Sequence, residues 1–92
     1  GGALYGISKF ALDGFSKNLR HELMPYHIKV TSVYPGAVYT DSWSRSGIAE
    51  ERFMPVEDIA KLIYAAYDTA PQTVVEEILI RPVKGDIRED EF

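Results

Sequence analysis

A tyrosine and a lysine four positions apart, Tyr5 and Lys9, lie within the run Ala3-Leu4-Tyr5-Gly6-Ile7-Ser8-Lys9-Phe10-Ala11-Leu12-Asp13-Gly14-Phe15. In a helix that spacing puts two side chains on one face. An ammonium beside a phenol favours the phenolate and lowers a pKa that is ordinarily about 10. A tyrosine tuned in this way can give or take a proton near neutral pH, as carbonyl reduction or alcohol oxidation requires. The lysine has a second use, because its ammonium donors can hold the hydroxyls of a ribose while its charge acts on the tyrosine. Taken alone, the pair equally fits an ordinary helix, with an amphipathic tyrosine at the rim of a core and a solvated lysine beside it.

Such a pair needs a rigid element under it, and the hydropathy pattern supplies one. From Leu4 to Met24 the apolar residues recur at helical spacing. Leu4, Tyr5, Ala11, Leu12, Phe15, Leu19 and Leu23 fall within an arc of about 120°, which predicts that this arc is the core face. Asp13, Lys17, Arg20 and His21 lie opposite. Pro25 stops the helix, since it has no N–H to give and disfavours helical geometry in the residue before it.

Ile28–Tyr34 is β-branched at four of seven positions and stops at Pro35-Gly36, so it reads as a strand. Residues 36–53 read as an irregular polar loop with Trp43 exposed in it; a loop this long is usually functional or mobile. Pro55 sits at a plausible first helical position, without a Ser or Thr cap before it. Val56, Ile59, Ala60, Ile63 and Tyr67 form the apolar stripe of a second helix, which Pro71 closes. Val74–Ile80 reads as a second strand, and the acidic tail 86–92 is expected to fray. The order helix, strand, long loop, helix, strand contains one right-handed βαβ unit. Two strands leave both sheet edges open, whereas parallel sheets are built from several strands covered on both faces. The expected fold is α/β: a portion of a doubly wound parallel sheet, incomplete alone, in a chain that reads as cut in mid-architecture.

Composition narrows the function. Ninety-two residues make one domain at most, with 46% hydrophobic and 26% charged residues. The net charge of −4 and the scattered basic residues argue against nucleic acid and anionic membranes as partners. There is no cysteine, hence no disulfide framework or thiolate metal site, and His21 and His27 lack ligand spacing, so no metal is expected. No apolar run is long enough to span a bilayer and no leader pattern opens the chain, which makes a cytoplasmic location the default expectation.

The run Tyr5-Gly6-Ile7-Ser8-Lys9-Phe10-Ala11-Leu12 resembles the active-site helix of the short-chain dehydrogenase/reductase family, which typically reads Tyr-x-x-Ser-Lys-x-Ala-Leu. Ile28–Thr40, with Pro35-Gly36-Ala37-Val38-Tyr39-Thr40, resembles that family's next strand and its Pro-Gly-x-Val-x-Thr loop. Pro55–Ala60 and Ile78–Pro82 are similar to its last helix and strand. The resemblance runs over residues 1–84 in order and implies the C-terminal part of a Rossmann-like oxidoreductase domain, with an active-site helix over 1–25 and a cofactor and substrate loop over 36–54. It implies an NAD(P)-dependent enzyme interconverting a carbonyl and a secondary alcohol on a small-molecule substrate, as a homo-oligomer.

Carried over by position, Tyr5 is the general acid/base, and Lys9 lowers its pKa and binds the nicotinamide ribose. Pro35 and Gly36 let the backbone pass close to the nicotinamide ring. The backbone of Val38 and the hydroxyl of Thr40 meet the carboxamide or a neighbouring phosphate, and Ala37 and Trp43 belong to the loop over the substrate. Two departures bear on activity. The family's glycine-rich dinucleotide loop has no counterpart in these 92 residues, and neither have the catalytic serine and structural asparagine that precede its tyrosine. Ser8 lies inside the Tyr–Lys motif and is not that serine. The expectation is therefore that this stretch alone binds NAD or NADP weakly or not at all and is inactive. The alternative is a non-catalytic module that oligomerises through exposed apolar faces.

Overall fold

The computed structural model describes the backbone of residues 2–92 and the side chains of residues 9–92. It contains helix α1 (Gly2–Leu23), strand β1 (Ser32–Pro35), a single helical turn α2 (Asp41–Ser44), helix α3 (Val56–Tyr67) and strand β2 (Glu77–Ile80), with short 3-10 turns between and after them. The strands pair in parallel, in the register Ser32↔Glu77, Val33↔Ile78, Tyr34↔Leu79 and Pro35↔Ile80, so β1, α3 and β2 form the expected βαβ unit.

α1 runs without interruption until Met24-Pro25-Tyr26 tightens into a 3-10 turn. His27 then takes the left-handed conformation at φ 60°, and its N–H donates to the Met24 carbonyl at 3.1 Å. This is the reversal that usually ends a helix, and it turns the chain back toward the sheet.

Both strands are shorter than the β-branched runs suggest. The ladder begins only where the Ser32 N–H reaches the Glu76 carbonyl at 3.0 Å. Residues 28–31 and 74–76 lie outside the two strands. β-branching favours extended backbone, but a strand also needs a facing partner, and here the paired stretch is confined to the four residues of each strand. Pro55 precedes α3 as its N-cap residue in extended conformation, without a side-chain cap, so the first helical residue is Val56.

The largest correction concerns the faces of the helices. The side of α1 turned to the sheet carries Lys9, Asp13 and Arg20; Asp13 meets Tyr34 of β1, and Arg20 Nε lies 3.3 Å from Glu76. Of the apolar arc, expected to be the core face, Leu12 is 48% and Phe15 64% exposed, while Leu19 and Leu23 further along are half-buried. α3 likewise stands off β1 across a crevice of about 440 Å³ lined by Val33, Ile63, Ala66 and Tyr67. Among the described residues Tyr34, Phe53 and Met54 are the buried hydrophobic ones, and they lie where β1 and the following loop meet.

Candidate active site

Tyr5 lies on α1 one turn before Lys9, and its side chain is outside the described residues. Lys9 is defined. Its Nζ lies 3.2 Å from Asp13 Oδ2 and 4.5 Å from the centre of the Tyr34 ring. The Tyr34 hydroxyl donates to the other Asp13 oxygen. Tyr34 immediately precedes Pro35-Gly36, so the cluster fixes Lys9 beside the C-terminal end of β1. Ligands of open parallel sheets bind outside the carboxyl ends of the strands.

The three groups tune one another. Hydrogen bonding to Asp13 holds the Lys9 ammonium above its ordinary pKa, against the opposing pull of desolvation. The Tyr34 hydroxyl and then Lys9 hold the Asp13 carboxyl below its usual range. The same bond to Asp13, then burial, pushes the Tyr34 phenol up. A lowered carboxyl pKa stabilises the fold above its unfolded value and loses that contribution as pH falls. A raised phenol pKa stabilises below its unfolded value and loses the contribution as pH rises. The cluster is therefore complete across neutral pH and loosens at both extremes. Asp13 and Tyr34 were not among the residues singled out from sequence. The i,i+4 spacing of Lys9 and Asp13 was a usable signal for one; nothing local marks Tyr34.

The loop after β1 is more ordered than its composition suggests. The Gly36 N–H donates to the Ile80 carbonyl at 2.7 Å, so the loop starts pinned to the end of β2. A Cβ on Gly36 would lie 3.1 Å from Pro82 Cδ and 3.3 Å from the Ile80 oxygen. The glycine thus serves strand packing as well as any ligand. Both neighbours are fixed, one by the Gly36 bond itself and the other as a buried ring. Gly36→Ala should accordingly destabilise by about 1–2 kcal/mol, measurable as a lowered midpoint of chemical unfolding; an unchanged midpoint would show that the β2 exit yields freely.

Val38 forms a parallel bridge with Met54, made by the Met54 N–H to the Ala37 carbonyl at 3.1 Å and the Tyr39 N–H to the Met54 carbonyl at 3.0 Å. In parallel pairing the bridged residue's flanking groups make the bonds. The N–H and C=O of Val38 itself therefore face the other edge, without a backbone partner among the described residues. Thr40 is the N-cap residue of α2, and its side chain makes no capping bond. Trp43, expected to be exposed, is half-buried between Phe53 and Phe92, with ring centres 5.1 and 5.8 Å away.

Residues Lys9, Pro35 and Gly36 are thus brought to one end of β1, and Val38 and Thr40 follow directly. Trp43 belongs to a separate aromatic cluster. The tail, expected to fray, is held by Arg52, whose guanidinium binds Glu91. A cleft of about 490 Å³ lies at the N-terminal end of α3, lined by Met54, Leu62, Ile80 and Pro82, and it includes none of Lys9, Asp13 and Tyr34. Among the described residues no group of three or more His, Cys, Asp or Glu could hold a metal ion. No helix there is long and apolar enough to cross a membrane.

Comparison with known proteins places this geometry. The family described as short chain dehydrogenase matches residues 1–51. A sepiapterin reductase of Chlorobaculum tepidum is 38% identical over 89 residues, covering 96% of this chain and 36% of that protein. A farnesol dehydrogenase of Aedes aegypti is 34% identical over 83 residues, covering 87% and 34%. Among solved structures, a betaketoacyl-ACP reductase of Bacteroides thetaiotaomicron superposes with a TM-score of 0.77 at 30% identity, covering 90% of this chain and 37% of that one. The chain spans about a third of the length of the relatives it matches.

Proposed function

Because the chain belongs to the short-chain dehydrogenase family, we propose that it supplies the proton-transfer and nicotinamide-facing part of an NAD(P)-dependent oxidoreductase acting on a carbonyl or a secondary alcohol. The observation that carries this reading is the placement of Lys9 against Tyr34, directly before the free peptide edge of Val38. A peptide N–H and C=O side by side match a primary carboxamide, which has one acceptor oxygen and an NH₂ donor. When bound, the nicotinamide would supply or accept the hydride.

The roles of the chain's own residues follow. Tyr5 gives its phenolic proton to the carbonyl oxygen in reduction and takes it back in oxidation. Lys9 keeps its charge beside Asp13, favours the phenolate of Tyr5, and offers its remaining donors to ribose hydroxyls. Val38 orients the carboxamide, and the Thr40 hydroxyl, uncommitted to a cap, is available to the same amide or to a phosphate. Pro35 and Gly36 present a flat backbone beside the ring, and Ala37 and Trp43 lie in the loop on the substrate side. Without a glycine-rich phosphate loop among its 92 residues, this stretch by itself should hold the cofactor weakly or not at all.

The exposed apolar face of α1 supports a homo-oligomer, because uncovered apolar patches of this kind mark interaction sites. The same observation favours the second reading, a module that only assembles. The two separate in one assay. Full-length protein is incubated with NADH and with NADPH against a pterin ketone, a terpenoid aldehyde and a β-ketoacyl thioester. Loss of absorbance at the reduced nicotinamide band with any of them supports the enzyme. A stable oligomer that oxidises neither cofactor with any substrate leaves only the module.

A further inference from the structure

The Arg52 side chain makes four hydrogen bonds, and all of them go to the segment that follows β2. Nε and Nη2 bind the two Glu91 oxygens at 2.7 and 3.1 Å, Nη1 binds the Gly85 carbonyl at 2.8 Å, and Nη2 binds the Asp86 carbonyl at 2.8 Å. The segment is shaped for this. Gly85 turns at φ 84°, a conformation that suits glycine, and its N–H closes the turn on Pro82 at 2.8 Å. Asp86 is tied back to Arg81 at 2.7 and 2.9 Å. The pair is well shielded, with the Arg52 and Glu91 side chains 10% and 19% exposed.

Arg52 is also joined to the loop at the other end of the site. It directly precedes Phe53 and Met54: Met54 is bridged to Val38, and the Phe53 ring packs on both Tyr39 and Trp43. Phe92, carried by the clasped segment, also stacks on Trp43, at 5.8 Å and 28° between planes. Trp43 is therefore contacted by the residue that follows Arg52 and by the residue that follows Glu91.

We propose that Arg52 is a positioning residue: by clasping residues 85–92 it fixes Trp43 and the Val38–Met54 bridge, and so sets how the loop after β1 meets the substrate. This rests on the oxidoreductase reading for the word substrate, but the mechanical claim stands independently. The planar guanidinium matters, because it engages carboxylate and carbonyls together, which the point charge of lysine cannot do. Hydrogen bonding to Arg52, then to the Arg88 backbone, holds the Glu91 carboxyl down to about 2, so the clasp is charged throughout the pH range of ordinary assays.

The test uses the full-length protein and compares wild type with Arg52→Ala, Arg52→Lys, Phe92→Ala and the exchanged pair Arg52→Glu with Glu91→Arg. Backbone hydrogen exchange is followed by mass spectrometry in peptides spanning 37–54 and, as the internal reference, 56–67. Arg52→Ala and Arg52→Lys should speed exchange in 37–54 by roughly tenfold and leave 56–67 unchanged. Phe92→Ala, which keeps the ion pair and carries the test if the arginine variants do not fold, should show the same pattern more weakly. The exchanged pair should restore part of the protection. In kinetics, KM for the carbonyl substrate should rise roughly five- to tenfold while kcat changes less than about twofold. Unchanged exchange in 37–54, or an equal rise in 56–67, overturns the proposal. Absence of turnover in the wild type, with the exchange pattern intact, overturns the oxidoreductase reading and leaves the clasp standing.

Discussion

Tyr5→Phe in the full-length protein is expected to lower kcat for carbonyl reduction by about 10²–10⁴-fold, the usual worth of a positioned general acid. The substitution deletes one oxygen and keeps the ring, so the fold should hold and cofactor affinity should change little. A group that acts only in the transition state lowers kcat and kcat/KM together. This is what separates the catalytic tyrosine from an amphipathic one at the rim of a helix, whose hydroxyl could be removed with a change below about threefold. The measurement is steady-state kinetics at saturating NADPH or NADH, with nicotinamide fluorescence to confirm binding. A Phe variant that binds cofactor and retains full turnover would falsify the assignment of Tyr5 as the acid.

Much of the frame was legible in the sequence, for reasons specific to its punctuation. Pro25 and Pro35-Gly36 stop α1 and β1 because proline chemistry acts on its immediate neighbours without reference to the rest of the fold. The βαβ order follows from the same local signals. Which face of α1 meets the sheet was not legible. Helical periodicity shows that an apolar arc exists, but it cannot say what covers the arc. Here β1 takes Asp13 through Tyr34, the residue before β2 takes Arg20 through Glu76, and Leu12 and Phe15 of the arc are left outward. The loop failed for a related reason. Its polar composition concealed a clasp formed by residues about forty positions apart, Arg52 and Glu91, and no local pattern announces a contact at that separation. The site fell between these cases. The Lys9 and Pro35-Gly36 motifs pointed to the candidate site, while the partner that anchors Lys9 came only from the approach of β1.

That anchor gives the second large effect, and its sign is diagnostic. With Tyr5 as the proposed acid/base, it must be a phenolate in the oxidation direction, so activity should rise with pH through the phenol's pKa. Lys9→Met removes the ammonium that favours the phenolate, and the rise should move to higher pH, toward the ordinary value near 10. Each unit of that shift costs about tenfold in the phenolate present at pH 7, so a loss on the order of 10²-fold is expected there, with a higher KM for cofactor. Asp13→Asn should move the profile the opposite way. Asparagine still accepts the Tyr34 hydroxyl, but the negative charge 3.2 Å from Lys9 is gone and no longer offsets the ammonium's pull on Tyr5. The rise should then shift to lower pH. The Lys9 ammonium, held above its ordinary pKa chiefly by Asp13, should at the same time lose its proton more easily at the alkaline end. If Lys9 and Asp13 were only a helix-stabilising pair, both variants would weaken the protein alike and leave the profile in place. Opposite displacements from two substitutions one turn apart can arise only if the charge of Lys9 reaches the titrating group.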